Sequence, residues 1–132
     1  MTYPESTGEV TPEIQYWQLA AQGEVRFQRC ADCGAWRYPP VEVCHACLGS
    51  RYSWAGVSGR ATLLSYVVVH TGKPRGRAFP YLVGHAELDE GIRYSANILG
   101  IAPGEIRIGM PLQLVSSTDD TGQAKAQFVA RA

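Results

Sequence analysis

The sequence predicts a mainly β protein in three parts: an N-terminal helix, a metal-bound ribbon and a five-stranded barrel. Three observations carry that expectation. A short early segment places apolar residues at helical spacing behind a capping pair. Two C-x-x-C pairs follow, ten residues apart. The remainder is a series of Val-, Leu-, Ile- and Tyr-rich runs punctuated by Gly and Pro. The parts divide as 1–23 (arm and helix), 24–56 (ribbon) and 57–132 (barrel).

Residues 1–10 are polar and read as a loose arm. Thr11 and Pro12 open the helix, Thr11 as N-cap and Pro12 at the first helical position. Ile14, Trp17, Ala20 and Ala21 form its apolar face, with Trp17 the expected anchor, and Gly23 stops it. From Glu24 the period changes to two: Val25 and Phe27 alternate with polar neighbours in a strand that runs into Cys30. A second extended piece, 52–57, leads out of the ribbon.

Strands are expected near 60–69, 81–88, 92–99, 111–116 and 125–130. Asp89, Glu90 and Gly91 make a tight hairpin signal between the second and third. Residues 103–106 suit one helical turn between the third and fourth. Residues 119–122 suit the last hairpin turn. Three strands, a short helical connection and two more strands fit a five-stranded OB-fold barrel, with a small sandwich as the competing architecture.

The cysteines specify the chemistry most sharply. Cys30 and Cys33, then Cys44 and Cys47, form two knuckles, each turning two sulfurs toward one point. Two such knuckles make a closed tetrahedral sulfur site of the kind that holds structural zinc. Iron is the other metal a four-sulfur site accepts. A redox C-x-x-C would stand once, beside a βαβ pattern, and neither condition holds. Gly34, after the second ligand, is expected to help turn backbone N–H groups toward sulfur. His45 lies between two ligands but finds the shell already full, so it is expected as an exposed loop residue.

The chain has 132 residues, enough for one hydrophobic core. Twelve basic and twelve acidic side chains give zero formal net charge, which argues against general nucleic-acid binding. The start shows no secretory pattern, and the longest apolar run is too short to cross a bilayer, so a soluble cytoplasmic protein is expected. Thiols there stay reduced, which again favours a metal over disulfides.

Beyond the cysteines, particular strings stand out. They are RCADCGAWRYPP at 29–40, Trp54 with VSGR at 57–60, Ser65 and Tyr66 with VVH at 68–70, and Pro80 with Tyr81. ELDEG at 87–91 and RIGMP at 107–111 complete the set. Together with the helix that carries Trp17, they resemble the acyl-CoA-associated OB-fold family with a rubredoxin-like zinc ribbon, over nearly the whole chain after residue 10. The resemblance implies a leading helix, a zinc ribbon and an OB barrel. It also implies a role as a small accessory partner of a thiolase-fold enzyme, a thiolase or retro-aldolase, in which the large subunit supplies the reactive residues. The small subunit would then shape the acyl-CoA site or bridge subunits in a hetero-oligomer.

No G-x-S-x-G, H-E-x-x-H or phosphate-loop motif points to independent catalysis. His85 and Glu87 share one face of a strand, where a half-buried pair satisfied by hydrogen bonds is the plainer expectation. The loop from His70 to Pro80 carries Lys73, Arg75 and Arg77 and no acid. With His70 it is a candidate to hold the phosphates of coenzyme A by charge-assisted bonds. A solvated loop and a contact with the partner protein are the alternatives. Trp17, Trp36 and Tyr38 are candidates for the partner interface, with a core shared between helix, ribbon and barrel as the alternative. The competing function is a single-stranded nucleic-acid-binding module, since ribbons and OB barrels also occur in such proteins.

Overall fold

A computed structural model describes residues 10–70, 80–118 and 124–131. Helix α1 spans Pro12–Ala21, capped by Thr11, whose hydroxyl accepts the Ile14 N–H. A three-stranded antiparallel sheet follows, in the order β2 (Trp36–Arg37), β1 (Arg26–Cys30), β3 (Tyr52–Gly56). The remaining strands are β4 (Arg60–Val69), β5 (Tyr81–Leu88), β6 (Arg93–Leu99), β7 (Pro111–Thr118) and β8 (Ala124–Ala130). They close into a barrel in the order β4-β5-β6-β8-β7. The β6–β8 contact is parallel and the other four are antiparallel. This is the five-stranded OB-fold, and closure decides against the open sandwich.

Strand β5 shows why the barrel forms. Leu82, Gly84, Ala86 and Leu88 are buried while the residues between them face outward, the period-two pattern of a sheet with one dry face. Gly84 sits where an added Cβ would lie 2.5 Å from Ile98 Cδ1, so its lack of a side chain lets β5 pack against the Ile98 side chain. The hairpin at 89–91 forms as its residues predict, with Gly91 at φ +93°. Strands β7 and β8 pair through Thr118 and Ala124, while the turn joining them lies outside the described residues. The expected helical turn at 103–106 is not helical. It is a single turn closed by the Glu105 N–H to the Ala102 carbonyl, too short to propagate.

The helix face differs from the expectation. Tyr16, 3% exposed, is its buried centre, with Pro12 and Ala20; Trp17 is only partly buried and Ala21 is exposed. The Tyr16 hydroxyl bonds to the Tyr94 hydroxyl inside the barrel at 2.7 Å, so tyrosine can be buried here with its polar tip satisfied. Phe27 of β1, fully buried, packs edge-on against Tyr94 at 5.6 Å between ring centres. Helix, ribbon and barrel therefore share one aromatic core.

A candidate metal centre

Strand β1 ends at Cys30, and the first knuckle turns back at once: the Gly34 N–H bonds to the Cys30 carbonyl and the Cys30 N–H to the Ala35 carbonyl. Gly34 holds φ +76°, which a side chain would oppose. Its own N–H closes the turn, and the N–H groups around it favour the thiolates: those of Cys33 and Asp32 at Cys30, and that of Ala35 at Cys33. In the second knuckle the Ala46 and Gly49 N–H groups reach the Cys44 and Cys47 sulfurs, each at 3.4 Å. The knuckles are braced by buried Gln28, whose amide both donates to and accepts from the Val41 backbone at 2.8 Å. An Asp32–Arg51 ion pair ties the first knuckle to the start of β3.

The four Sγ atoms all lie within 4.8 Å of one another. Cys30 and Cys47 are 3.5 Å apart and Cys33 and Cys44 are 3.6 Å apart. A zinc–sulfur bond of about 2.3 Å in a tetrahedron sets the sulfur–sulfur edge at about 3.8 Å, so these thiols fit zinc with little adjustment. Cys30 and Cys44 face inward and are buried, while Cys33 and Cys47 face solvent. The Cys33 backbone N–H, with those of Asp32 and the Arg37 side chain, draws Cys30 down to about 6 against the opposing effect of burial. The Gly49 N–H favours the Cys47 thiolate, but Cys30 and Cys33 outweigh it and push Cys47 up to about 12. Four thiolates crowd this space too closely to ionise together without a cation among them. Zinc is the structural cofactor that this donor set accommodates.

Arg37 is a member of the centre that sequence reasoning missed. It lies in the two-residue strand β2, paired with Gln28 of β1, and is 1% exposed. Its Nη2 donates to the Gly49 and Arg51 carbonyls, both at 3.2 Å, and its guanidinium lies 5.3 Å from the centre of the Tyr52 ring. The available signal was a lone basic residue between Trp36 and Tyr38, in the span between the two C-x-x-C pairs.

The other candidates fall elsewhere. Trp36 and Tyr38 open onto a cleft of about 490 Å³ between ribbon and barrel, lined also by His45, Glu90, Ile92 and Arg93. Trp36 packs against the core on one side and has the Arg29 guanidinium 5.0 Å from its ring centre on another. Tyr38 is partly exposed but packs against Tyr94 with the rings tilted at 57° and their centres 5.0 Å apart. Trp17 is partly buried against the core from the helix. His45 is exposed, as expected. His70 is exposed at the end of β4, and Lys73, Arg75 and Arg77 lie outside the described residues. His85 is bonded through Nδ1 to Ser95 Oγ at 2.8 Å, and Glu87 pairs with Arg93 at 3.5 Å, so each has its own cross-strand partner. No helix among the described residues is long and apolar enough to cross a membrane.

Comparisons with known proteins agree with this architecture. Residues 17–53 match the family model for the ChsH2 rubredoxin-like zinc ribbon domain, and residues 54–116 match that for the ChsH2 C-terminal OB-fold domain. The chain is 36% identical over 98 residues to the 3-oxo-4,17-pregnadiene-20-carboxyl-CoA hydratase alpha subunit of Mycobacterium tuberculosis. That match takes in 74% of this chain but only 31% of the hydratase subunit, so the chain spans less than a third of that relative's length. It is 32% identical over 89 residues to a DUF35 domain-containing scaffold protein of Methanocaldococcus jannaschii, covering 66% of this chain and 63% of the scaffold. Among solved structures, a chain of the Ltp2-ChsH2(DUF35) aldolase superposes with a TM-score of 0.82 at 30% identity, over 97% of this chain and 98% of that one.

Proposed function

This chain belongs to the ChsH2 family of zinc-ribbon and OB-fold proteins, and from that premise we propose that it is the accessory subunit of a thiolase-fold enzyme acting on acyl-CoA. The enzyme is a thiolase or a retro-aldolase, and this chain completes or stabilises its acyl-CoA site. The observation that carries the proposal is the end-to-end likeness to a chain of a two-component aldolase. The distribution of reactive groups supports it. All four cysteines converge on one metal centre, and His85 and Glu87 are engaged across strands. Chemistry then falls to the partner, and this chain contributes shape.

Shape alone has consequences. Holding a substrate in a reactive orientation can remove several kcal/mol of barrier, about 7–11 in the best intramolecular cases. A partner that lacks one wall of its site loses part of that gain while keeping every catalytic group. Trp17, Trp36 and Tyr38 are proposed as the contact with the partner. Lys73, Arg75 and Arg77 are proposed as cations near the coenzyme phosphates, with His70 as a further contact to the ligand. The zero net charge weighs against the nucleic-acid-binding alternative.

Reconstitution tests the proposal. The isolated chain is expected to be inactive toward acyl-CoA, the isolated partner weakly active or insoluble, and mixing or co-expression to restore turnover. Replacing Lys73, Arg75 and Arg77 together by Gln should raise the KM for the CoA ester and leave assembly intact. A partner with full activity on its own would remove this chain from the reaction, and an unchanged KM would remove the loop from the site.

A further inference from the structure

We infer that Arg37 is the buried counter-ion of the metal centre, donating hydrogen bonds from Nε and Nη1 to the inner thiolates Cys30 and Cys44. The inference is independent of the partner and the substrate. It begins with two orphaned groups. Arg37 satisfies Nη2 on the Gly49 and Arg51 carbonyls, but its Nε and Nη1 are buried and unpaired while the four cysteines stand as free thiols. A guanidinium does not shed its charge to escape such a site, and buried donors left unpaired are costly. A ligand-bearing centre on the same side of the side chain removes the difficulty.

The geometry puts that centre there. The two carbonyls that Nη2 holds also accept N–H groups at both inner cysteines: Gly49 takes the Cys44 N–H at 2.8 Å, and Arg51 takes the N–H of Ala31, next to Cys30, at 3.0 Å; Cys30 and Cys44 are the two buried members of the four. Zinc with four thiolates carries two surplus negative charges, and half of its sulfur shell here is turned away from water. Two charges buried against a dry core need compensation. Backbone N–H groups reach one sulfur on each side of the second knuckle, inner Cys44 and outer Cys47. Among the other ribbon arginines, Arg26 is partly exposed and paired with Glu24, Arg51 is exposed and paired with Asp32, and Arg29 is exposed and bonded to the Gly34 carbonyl. Arg37 is therefore the buried cation of the ribbon. One planar fork closes the second knuckle through Nη2 and offers its remaining N–H groups to sulfur. Groups in this position fix the ligands and tune the metal, and losing one typically costs about 10- to 100-fold in metal affinity.

The test uses the whole holo-protein. Zinc affinity is measured by competition with a chromogenic chelator for the wild type, Arg37→Met, Arg37→Gln and Arg37→Lys. The neutral variants should bind about 10- to 100-fold more weakly, and Lys, which keeps the charge but not the fork, should lose less. A role confined to bracing the Gly49 and Arg51 carbonyls would not depend on charge, so Gln and Lys would then fall together, and that result overturns the inference. Unchanged affinity in Arg37→Met overturns it as well. Should the neutral variants fail to fold, the wild type decides alone. With NMR-active cadmium in the site, scalar coupling between the metal and the Arg37 side-chain N–H protons shows the hydrogen bonds to ligand sulfur. Absence of coupling, with those protons exchanging freely with water, refutes them.

Discussion

Tyr16 on the helix and Tyr94 on barrel strand β6 join their hydroxyls at 2.7 Å, across 78 residues of sequence. Each provides the partner for a phenol that would otherwise be buried and unsatisfied. Removing one hydroxyl leaves the other stranded, at a cost of about 1–3 kcal/mol. Tyr16→Phe and Tyr94→Phe should each destabilise the protein by that amount in denaturant titrations, while the double variant should cost less than the sum. Full additivity would mean that the hydroxyls act independently.

The same cluster predicts an alkaline transition. Burial, with the neighbouring Tyr94 charge and hydroxyl, raises Tyr16 above the ordinary tyrosine value. Burial likewise raises Tyr94, and it pushes Tyr38 up to about 12. These folded-state values exceed the unfolded one of about 10. The stability they contribute is therefore complete below pH 10 and lost as the pH rises through the folded values. Phenolate absorbance should show Tyr38 ionising near 12, and Tyr16 and Tyr94 only as the fold is lost. Ionisation of all seven tyrosines in one step near 10, with the fold intact, would contradict the packing.

Metal removal should be felt mainly in the ribbon. Structural zinc contributes about 10–16 kcal/mol of apparent binding free energy in small peptides, more than the net stability of many domains. The ribbon's β2 has only two residues and cannot hold the knuckles by itself. Metal analysis of fresh reduced protein should give one zinc per chain. Cys30→Ser and Cys47→Ser should lose that zinc and the amide-exchange protection of 26–56. Retention of protection in the metal-free chain would show that the aromatic core suffices.

Trp36 separates interface from core. It is half-covered by the core and by Arg29, and its remaining surface faces the cleft between ribbon and barrel. Trp36→Ala should cost the isolated chain less than the roughly 3–5 kcal/mol of a fully buried aromatic. In the complex it should weaken partner binding by about 2 kcal/mol or more, as interface anchors do. Equal losses in both assays would place Trp36 in the shared core alone.

Local signals in the sequence determined the elements and the metal centre. Thr11 and Pro12 fixed the start of the helix, because capping acts within one turn. The two C-x-x-C pairs fixed the ligand set, because each knuckle is closed by bonds among near neighbours. Strand β5 was legible from its strict alternation. Tertiary structure decided what depends on residues far apart in the chain. The helix turns Tyr16 inward beside the larger Trp17, because a partner for a buried hydroxyl waits on Tyr94, and helical spacing alone cannot reveal that partner. Arg37 is enclosed because β2 pairs with β1 at Gln28 while the second knuckle and the start of β3 offer it two carbonyls. Burial of a charge is decided by what closes over it from elsewhere in the chain, and a string of residues does not carry that information.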